Sequence, residues 1–285
     1  MIESILSHGI ALGAVYALIG ITYNVMYSAS RVFSFTAGTV GMLGGVFGAV
    51  FIGSMGMPVI VGFLLTVVCG AALGVIIEVV AARPVLKSIE QHLYVLSTLA
   101  VSLILLQLTA IFFSTDAVPF PRVLPIGPGI FDQKFWLPIL ACVVTVVGLE
   151  YLYRHTLIGR AFLAIAEDNF AARALGLPEQ GLRVASFALA GVIGVVTGFA
   201  AGQMMFASLA NGPMLNFYGF VPVALGGMGS TRGAVIGGLL LGLFQQVANY
   251  FFGGVFAAVA VFVVFIIALL ARPEGIAGSA IARRV

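Results

Sequence analysis

Charge is what this chain has least of. Only 8% of its 285 residues are charged, with 13 Lys and Arg against 10 Asp and Glu. A globular domain carries roughly 25%. So few charges cannot clothe a water-facing surface, which excludes a soluble enzyme and a disordered chain. Cysteine is nearly absent. Cys69 and Cys142 lie inside apolar runs without metal-ligand spacing. That excludes a secreted disulfide scaffold and predicts two buried small hydrophobes. The three histidines, His8, His92 and His155, fall at different span ends, and no His-Glu-x-x-His occurs. No metal site and no catalytic constellation are expected. Polar and apolar residues scarcely alternate, which argues against a transmembrane barrel. The opening Met1-Ile2-Glu3-Ser4 has no basic region, so the first apolar run reads as a retained helix.

What remains is apolar. The hydrophobic share is 61% and the mean hydropathy is +1.18. The chain reads as an integral membrane protein, a single transmembrane domain over 1–285. Charge-free stretches cover 4–30, 32–77, 91–115, 135–149, 184–231 and 233–271. A spanning helix needs about 20 apolar residues, so the longer stretches hold two spans or more. Spans are predicted at 8–28, 34–53, 58–81, 92–113, 135–153, 184–206, 216–229, 233–252 and 254–271. The seventh is short and glycine-rich, which predicts a broken or half helix. The start of the second, Thr36-Ala37-Gly38-Thr39-Val40-Gly41, is similarly loose. The segments 34–53 and 216–242 are candidate partners in a structural duplication.

Net charge is +3, yet the basic residues follow membrane topology and predict no nucleic-acid partner. Arg31, Arg83, Lys87, Arg154, Arg160, Arg173, Arg183, Arg232, Arg272, Arg283 and Arg284 all fall on one side when nine crossings are counted. The opposite segment 114–134 holds Arg122 and Lys134 against Asp116 and Asp132. Positive loops face the cytoplasm, which predicts the N-terminus outside and the C-terminus inside.

Glycines recur at spacings of four, as in Gly41/Gly45, Gly70/Gly74 and Gly194/Gly198/Gly202. Small residues at this spacing let helices pack closely in lipid, within one bundle or against a second subunit. Gly226-Gly227-Met228-Gly229-Ser230-Thr231-Arg232-Gly233 resembles a phosphate loop but lacks its Lys-Ser/Thr ending, and reads as a tight interspan loop. No charge sits near the middle of a span. Glu78 and Glu150 lie near cytoplasmic ends, within reach of water, Arg83 and Arg154. A carboxylate proton relay is therefore disfavoured. Uncharged polar groups do occur in the spans: Thr22, Tyr23, Asn24, Tyr27 and Ser28, then Ser97, Thr98, Ser102, Gln107, Gln203, Gln245, Gln246 and Asn249. They predict interhelical hydrogen bonds first and a polar lining second.

The longest inner segment is 154–183. It predicts a helix over 160–175, with Thr156 as a cap, Gly176 in a left-handed terminal position and Pro178 beyond. Phe162, Leu163, Ala166 and Phe170 share one side at helical spacing, while Arg160, Glu167 and Asp168 fall elsewhere. Such a helix suits docking to a soluble partner, with rest on the lipid surface as the alternative.

At these residues the chain resembles the permease subunit of branched-chain amino acid ABC importers, the LivH type. The likeness runs along nearly the whole chain. It is carried by Gly13-Ala14-Val15-Tyr16-Ala17-Leu18, by Gly159-Arg160-Ala161 through Ala171-Ala172-Arg173-Ala174-Leu175-Gly176, by Ala224-Leu225-Gly226-Gly227-Met228-Gly229-Ser230 with Gly233-Ala234-Val235-Ile236-Gly237-Gly238, and by Arg272-Pro273-Glu274-Gly275-Ile276. The resemblance implies an all-α polytopic membrane bundle with the ABC importer permease fold, of about eight to ten transmembrane segments. It implies location in a bacterial-type inner membrane, a second homologous permease subunit, two cytoplasmic ATPase subunits that hold ATP and Mg, and a periplasmic or extracellular solute-binding protein. No cofactor is expected in this chain, and no enzyme activity of its own. Arg160, Phe162, Leu163, Ala166, Glu167, Asp168, Phe170, Arg173 and Gly176 become the candidate ATPase-coupling residues. Asn24, Tyr27, Ser34, Thr36, Gly38, Phe217, Gly226, Gly227 and Gly229 become the candidate pathway.

One departure bears on the solute. The family pattern Arg-Val-Ile-Asn-Phe-Ala-His-Gly is here Arg31-Val32-Phe33-Ser34-Phe35-Thr36-Ala37-Gly38. Branched-chain or other hydrophobic amino acids are the expected solutes, with amides, urea or aromatic acids as alternatives in the same permease type. A passive channel is a further alternative, and a membrane-embedded enzyme a distant third.

The charge asymmetry yields a topology test. Single cysteines at Thr115 and Gln180, in a background without Cys69 and Cys142, should label at 115 and not at 180 with an impermeant thiol reagent on whole cells. The reverse pattern contradicts the orientation.

Overall fold

The computed structural model describes residues 2–31, 33–86, 93–113, 116–123 and 133–271. Lys87, His92, the motif Arg272 to Ile276, Arg283 and Arg284 lie outside them. The described chain is nearly all helical: α1 (Ile2–Ser30), α2 (Ala37–Ser54), α3 (Val59–Val85), α4 (Leu93–Phe112), α5 (Gln133–His155), α6 (Leu157–Glu167), α7 (Asn169–Ala174), α8 (Glu179–Met205), α9 (Asn211–Gly226), α10 (Thr231–Phe252) and α11 (Gly254–Ala271), with an isolated β-bridge between Val118 and Ala207. Among the described residues seven helices are long and apolar enough to cross a membrane: α1, α2, α3, α4, α5, α8 and α10. Two shorter ones, α9 and α11, pack beside them. The protein is a multi-pass membrane bundle.

Each expected span matches a helix. Of the two forms expected for the seventh, broken or half, it takes the short one. It is a single helix that starts at Asn211, holds Pro222 inside it and ends at Gly226. Its glycines at 227 and 229 form the turn beyond, with φ of 93° and 82°. Those left-handed angles are ones that glycine adopts without a Cβ clash.

α1 is apolar on all sides and correspondingly central, as a helix without a polar face must be. From Ala11 to Met26 every residue but Leu12 is buried. α10 runs antiparallel along it. A methyl group on Gly13 would stand 2.8 Å from the Leu239 Cα, and one on Gly238 2.5 Å from the Ala17 nitrogen. The second hub is α8, which touches α1, α2, α3 and α5. Its glycines set backbone on backbone. A methyl on Gly198 would land on the Gly41 carbonyl of α2, and one on Gly191 on the Gly70 carbonyl of α3. Lipid gives no hydrophobic drive between helices, so such close dispersion contacts hold the bundle. The fourfold glycine spacing is therefore packing within the chain.

These contacts order the two ends of the bundle. Arg31, Arg83, Arg154, Arg160, Arg173, Arg183 and Arg232 lie toward the end shared by the α1 C-terminus, the α5–α8 connection and the α9–α10 turn. Arg122 and Lys134 lie toward the other. Large apolar residues of α3, α4 and α11, such as Ile60, Leu103 and Val255, are exposed where the bilayer would cover them.

The packing predicts a contrast between two glycines. Gly198→Ala should abolish monodisperse folded protein or lower its melting temperature steeply, because the methyl meets backbone that cannot swing away. Gly148→Ala should leave both unchanged, since nothing lies within 4 Å of its added methyl. Size-exclusion profiles and thermal unfolding in detergent read both.

Candidate functional site

Three groups of candidate residues lie between the arginine-rich end and the middle of the bundle. The first is a clamped turn. Asn24, 3% exposed near the end of α1, donates from Nδ2 to the Ser230 carbonyl at 3.0 Å. Its Oδ1 accepts the Gly229 N–H at 3.0 Å. Ser230 in turn caps α10, its hydroxyl accepting the Gly233 N–H at 3.0 Å. Gly226 and Gly233 face each other so closely that a methyl on either would strike the other's backbone. Asn24, Gly226, Gly227 and Gly229 are thus brought together as one pinned junction of α1, α9 and α10.

The second group is a polar network with a row of aromatic rings. Asn216, in α9, accepts the Gly38 N–H at 2.7 Å and the Tyr23 hydroxyl at 3.0 Å on its Oδ1, and donates to the Thr39 hydroxyl at 3.3 Å. Thr39 pairs in turn with Ser102 of α4. Ser34 and Thr36 are buried, and their hydroxyls bond each other at 2.8 Å. Beside them runs the row: Tyr27 to Phe33 at 5.1 Å between centroids, Phe33 to Phe220 at 5.6 Å, Phe220 to Phe265 at 6.1 Å, and Phe265 to Phe217 at 6.2 Å. Tyr27, Phe33, Phe217 and Phe220 are half-buried, so the row reaches the surface of the bundle. Of the expected pathway residues, Tyr27 and Phe217 lie on this row, Gly38 lies under Asn216, and Ser34 and Thr36 lie inside. Some of the polar span residues make the expected interhelical hydrogen bonds, while Thr22 and Ser28 bond carbonyls of their own helix. Ser97 donates to the Ala81 carbonyl, Gln203 to the Pro121 carbonyl, and the Tyr16 hydroxyl to Gln245.

The third group is the elbow between α5 and α8. Thr156 caps α6 by accepting the Gly159 N–H at 3.0 Å. Gly159 sits against the Leu152 carbonyl, where a side chain would not fit, and the chain turns sharply there. The single helix expected over 160–175 is instead two. Asp168 is extended (φ −146°, ψ 105°), and its carboxylate accepts the N–H groups of Phe170 and Ala171 at 2.9 and 3.0 Å. The capping preference of Asp here outweighs the helix propensity of its neighbours. Gly176, with φ of 80°, ends α7, and Pro178 precedes α8.

This break dissolves the expected apolar stripe. Phe162 is buried with Ile165, Ala172 and Leu182, against Leu152 and Tyr153. Phe170 is 85% exposed and Leu163 44%. Ala166 is half-buried, Glu167 and Arg160 are exposed, and Arg173 pairs with Glu179 at 2.6 Å. Glu150 pairs with Arg154 and Arg232, whereas Glu78 is wholly buried and pairs with Arg83 and Arg183.

Sequence reasoning passed over Asn216, the centre of the network, and Phe220, the ring that joins α1, α9 and α11. An amide in the middle of a short apolar helix marks the first. Nothing marks the second among 23 phenylalanines.

Comparison with known proteins adds the following. The family described as branched-chain amino acid transport system / permease component matches residues 5–271. The chain is 28% identical over 292 residues to the high-affinity branched-chain amino acid transport system permease protein LivH of Escherichia coli (strain K12), covering 95% of this chain and 94% of that one. It is 29% identical over 295 residues to the corresponding protein BraD of Pseudomonas aeruginosa, covering 96% and 94%. It is 24% identical to a probable branched-chain amino acid transport permease protein LivH of Methanocaldococcus jannaschii, covering 97% and 92%.

The network carries a stability prediction. Asn216→Ala leaves the Gly38 N–H without its acceptor and should destabilise the fold by about 1–3 kcal/mol. Gln245→Ala loses one bond, where the average across membrane helices is roughly 0.6 kcal/mol. Denaturation in mixed micelles should rank the two in that order.

Proposed function

The chain belongs to the family of branched-chain amino acid transport system permease components, and from that premise we propose that it carries branched-chain or other hydrophobic amino acids inward by alternating access. The observation that carries this reading is the family match over 5–271, on a bundle whose arginine-rich end bears a separate helical elbow. The three relatives named above are all described as branched-chain amino acid permeases, which favours that solute class over amides, urea or aromatic acids. The half-exposed rings of Tyr27, Phe33, Phe217 and Phe220 suit an apolar side chain. A second, homologous permease facing this row would complete the path, and a solute-binding protein would deliver from outside.

The energy source is assigned to two ATPase subunits that hold ATP and Mg, since the loop at 226–233 lacks the lysine that grips phosphate. Their dock is the elbow. Phe170 and Leu175, 85% and 81% exposed, stand beside Asp168 and Arg173 at the end that carries the bundle's positive charge. By the positive-inside rule that end is cytoplasmic. Phe162 supports the elbow from within and offers no surface.

The decisive experiment is reconstitution. Proteoliposomes that contain the permease pair, ATPase subunits and leucine-loaded binding protein should take up leucine only with ATP. Uptake by vesicles that lack the ATPase would show a facilitator instead. Within that system Phe170→Ala should weaken ATPase association by about tenfold or more, since burying such a side chain is worth roughly 1.5–3 kcal/mol. Phe162→Ala should cost about 3–5 kcal/mol of stability while the folded fraction keeps its affinity. Pull-down and thermal unfolding separate the two effects.

A further inference from the structure

A carboxylate inside a spanning helix is costly unless paired, and where one persists it marks function. Glu78, wholly buried, accepts Arg183 Nε at 2.8 Å on Oε1 and Arg83 Nη2 at 3.0 Å on Oε2. Arg183 is itself nearly dry, and its Nη1 lies 3.7 Å from Glu179 Oε1. Glu179 Oε2 receives Arg173 Nε at 2.6 Å. Charges of alternating sign therefore run unbroken from α7 in the elbow, through the base of α8, to α3.

The position of the buried pair matters as much as its chemistry. The backbone contact of α3 with α8 reaches Gly74, where a methyl would strike the Phe187 carbonyl. Glu78 lies four residues beyond Gly74, and Arg183 four residues before Phe187. The ion pair is the next rung of the same antiparallel contact, on the elbow side. At this rung α3 leaves α-helical geometry and continues in wide turns over Glu78–Ala82. Such turns loosen the ladder and recur at functional sites. Ser97 of α4 holds the Ala81 carbonyl within that stretch at 3.0 Å.

We propose that this chain of charges is the transmission joint of the permease, with Glu78 and Arg183 as positioning residues that make the inner ends of α3 and α4 follow the elbow. The proposal rests on the ATP-driven function above. The outer part of α8 is locked to α2 and α3 by glycine contacts. A displaced elbow therefore acts on the stretch below Gly74, where α3 can bend. Arg183 cannot leave Glu78 without stranding a buried charge, which is strongly disfavoured. The pair thus drags α3 with it instead of slipping.

The test measures leucine uptake per ATP hydrolysed by the assembled complex in proteoliposomes. The variants are Glu78→Gln, the double variant Glu78→Gln with Arg183→Gln, and Arg173→Ala at the exposed outer rung. The double variant leaves no buried charge stranded, since Arg83 reaches solvent, and should assemble at wild-type yield. Its uptake per ATP should fall roughly tenfold, the scale of coupling between distant sites. Arg173→Ala, at the edge of the dock, should lose part of that ratio in the fraction that assembles. Glu78→Gln should show the same uncoupling in whatever fraction assembles. A purely structural pair would lower yield and leave uptake per ATP of the assembled fraction at the wild-type value, and that result overturns the joint. A wild-type complex without ATP-driven uptake overturns the proposed function and the joint together. Wild-type uptake with unchanged variant ratios overturns the joint alone.

Discussion

The close backbone contact of α8 with its neighbours is the constraint on which the rest depends. In lipid an apolar side chain gains nothing by leaving solvent for a neighbouring helix, so association rests on dispersion and hydrogen bonds at short range. Gly191 and Gly198 remove the side chains that would hold α8 away from α3 and α2. Ser186, five residues nearer the elbow than Gly191, bonds the Val25 carbonyl and ties the same helix to α1. Gripped on three sides from Ser186 onward, α8 is held fast there, while its first turns, which carry Arg183, project to the elbow. Because α8 begins at the elbow, an exposed element and a firmly packed one are continuous in the chain.

Hydrocarbon imposes a second condition, that polar groups find partners within the protein. It explains why Asn216 draws Tyr23, Gly38 and Thr39 around it, and why Asn24 uses both ends of its amide on one turn. It also explains the form of the charged chain from Arg173 to Glu78, in which each buried charge meets one of opposite sign. The junctions of α1, α2, α9 and α10 are thereby fixed, while the partly exposed aromatic row beside them is left without internal partners on one side. That division leaves a determined frame and one incompletely covered face.

The spans were legible because charge is rare and comes in clumps, and because a membrane sets the length of what lies between. The elbow's limits were legible from Thr156, Gly176 and Pro178, whose backbone preferences are local. Its break was not. Helix formers flank Asp168, and only in the fold does its carboxylate claim two N–H groups and end the helix. Phe162 and Phe170 therefore part company, although their spacing places them on one face. Glu78 and Arg183 are far apart in sequence and meet because α3 and α8 run antiparallel at one register. No local pattern encodes that. Phe220 illustrates the same limit, since its role comes from four rings on three other elements.

The central claim is that the elbow and the inner end of α3 move as one body. Pulsed electron resonance on the assembled complex tests it directly, with one spin label at Ala174 of the elbow and a second at either Val80 or Ile60 of α3. On exchange of ADP for a non-hydrolysable ATP analogue, the 174–80 distance should hold while the 174–60 distance changes. A 174–80 distance that changes while 174–60 holds would show the elbow sliding past α3, and would contradict the account.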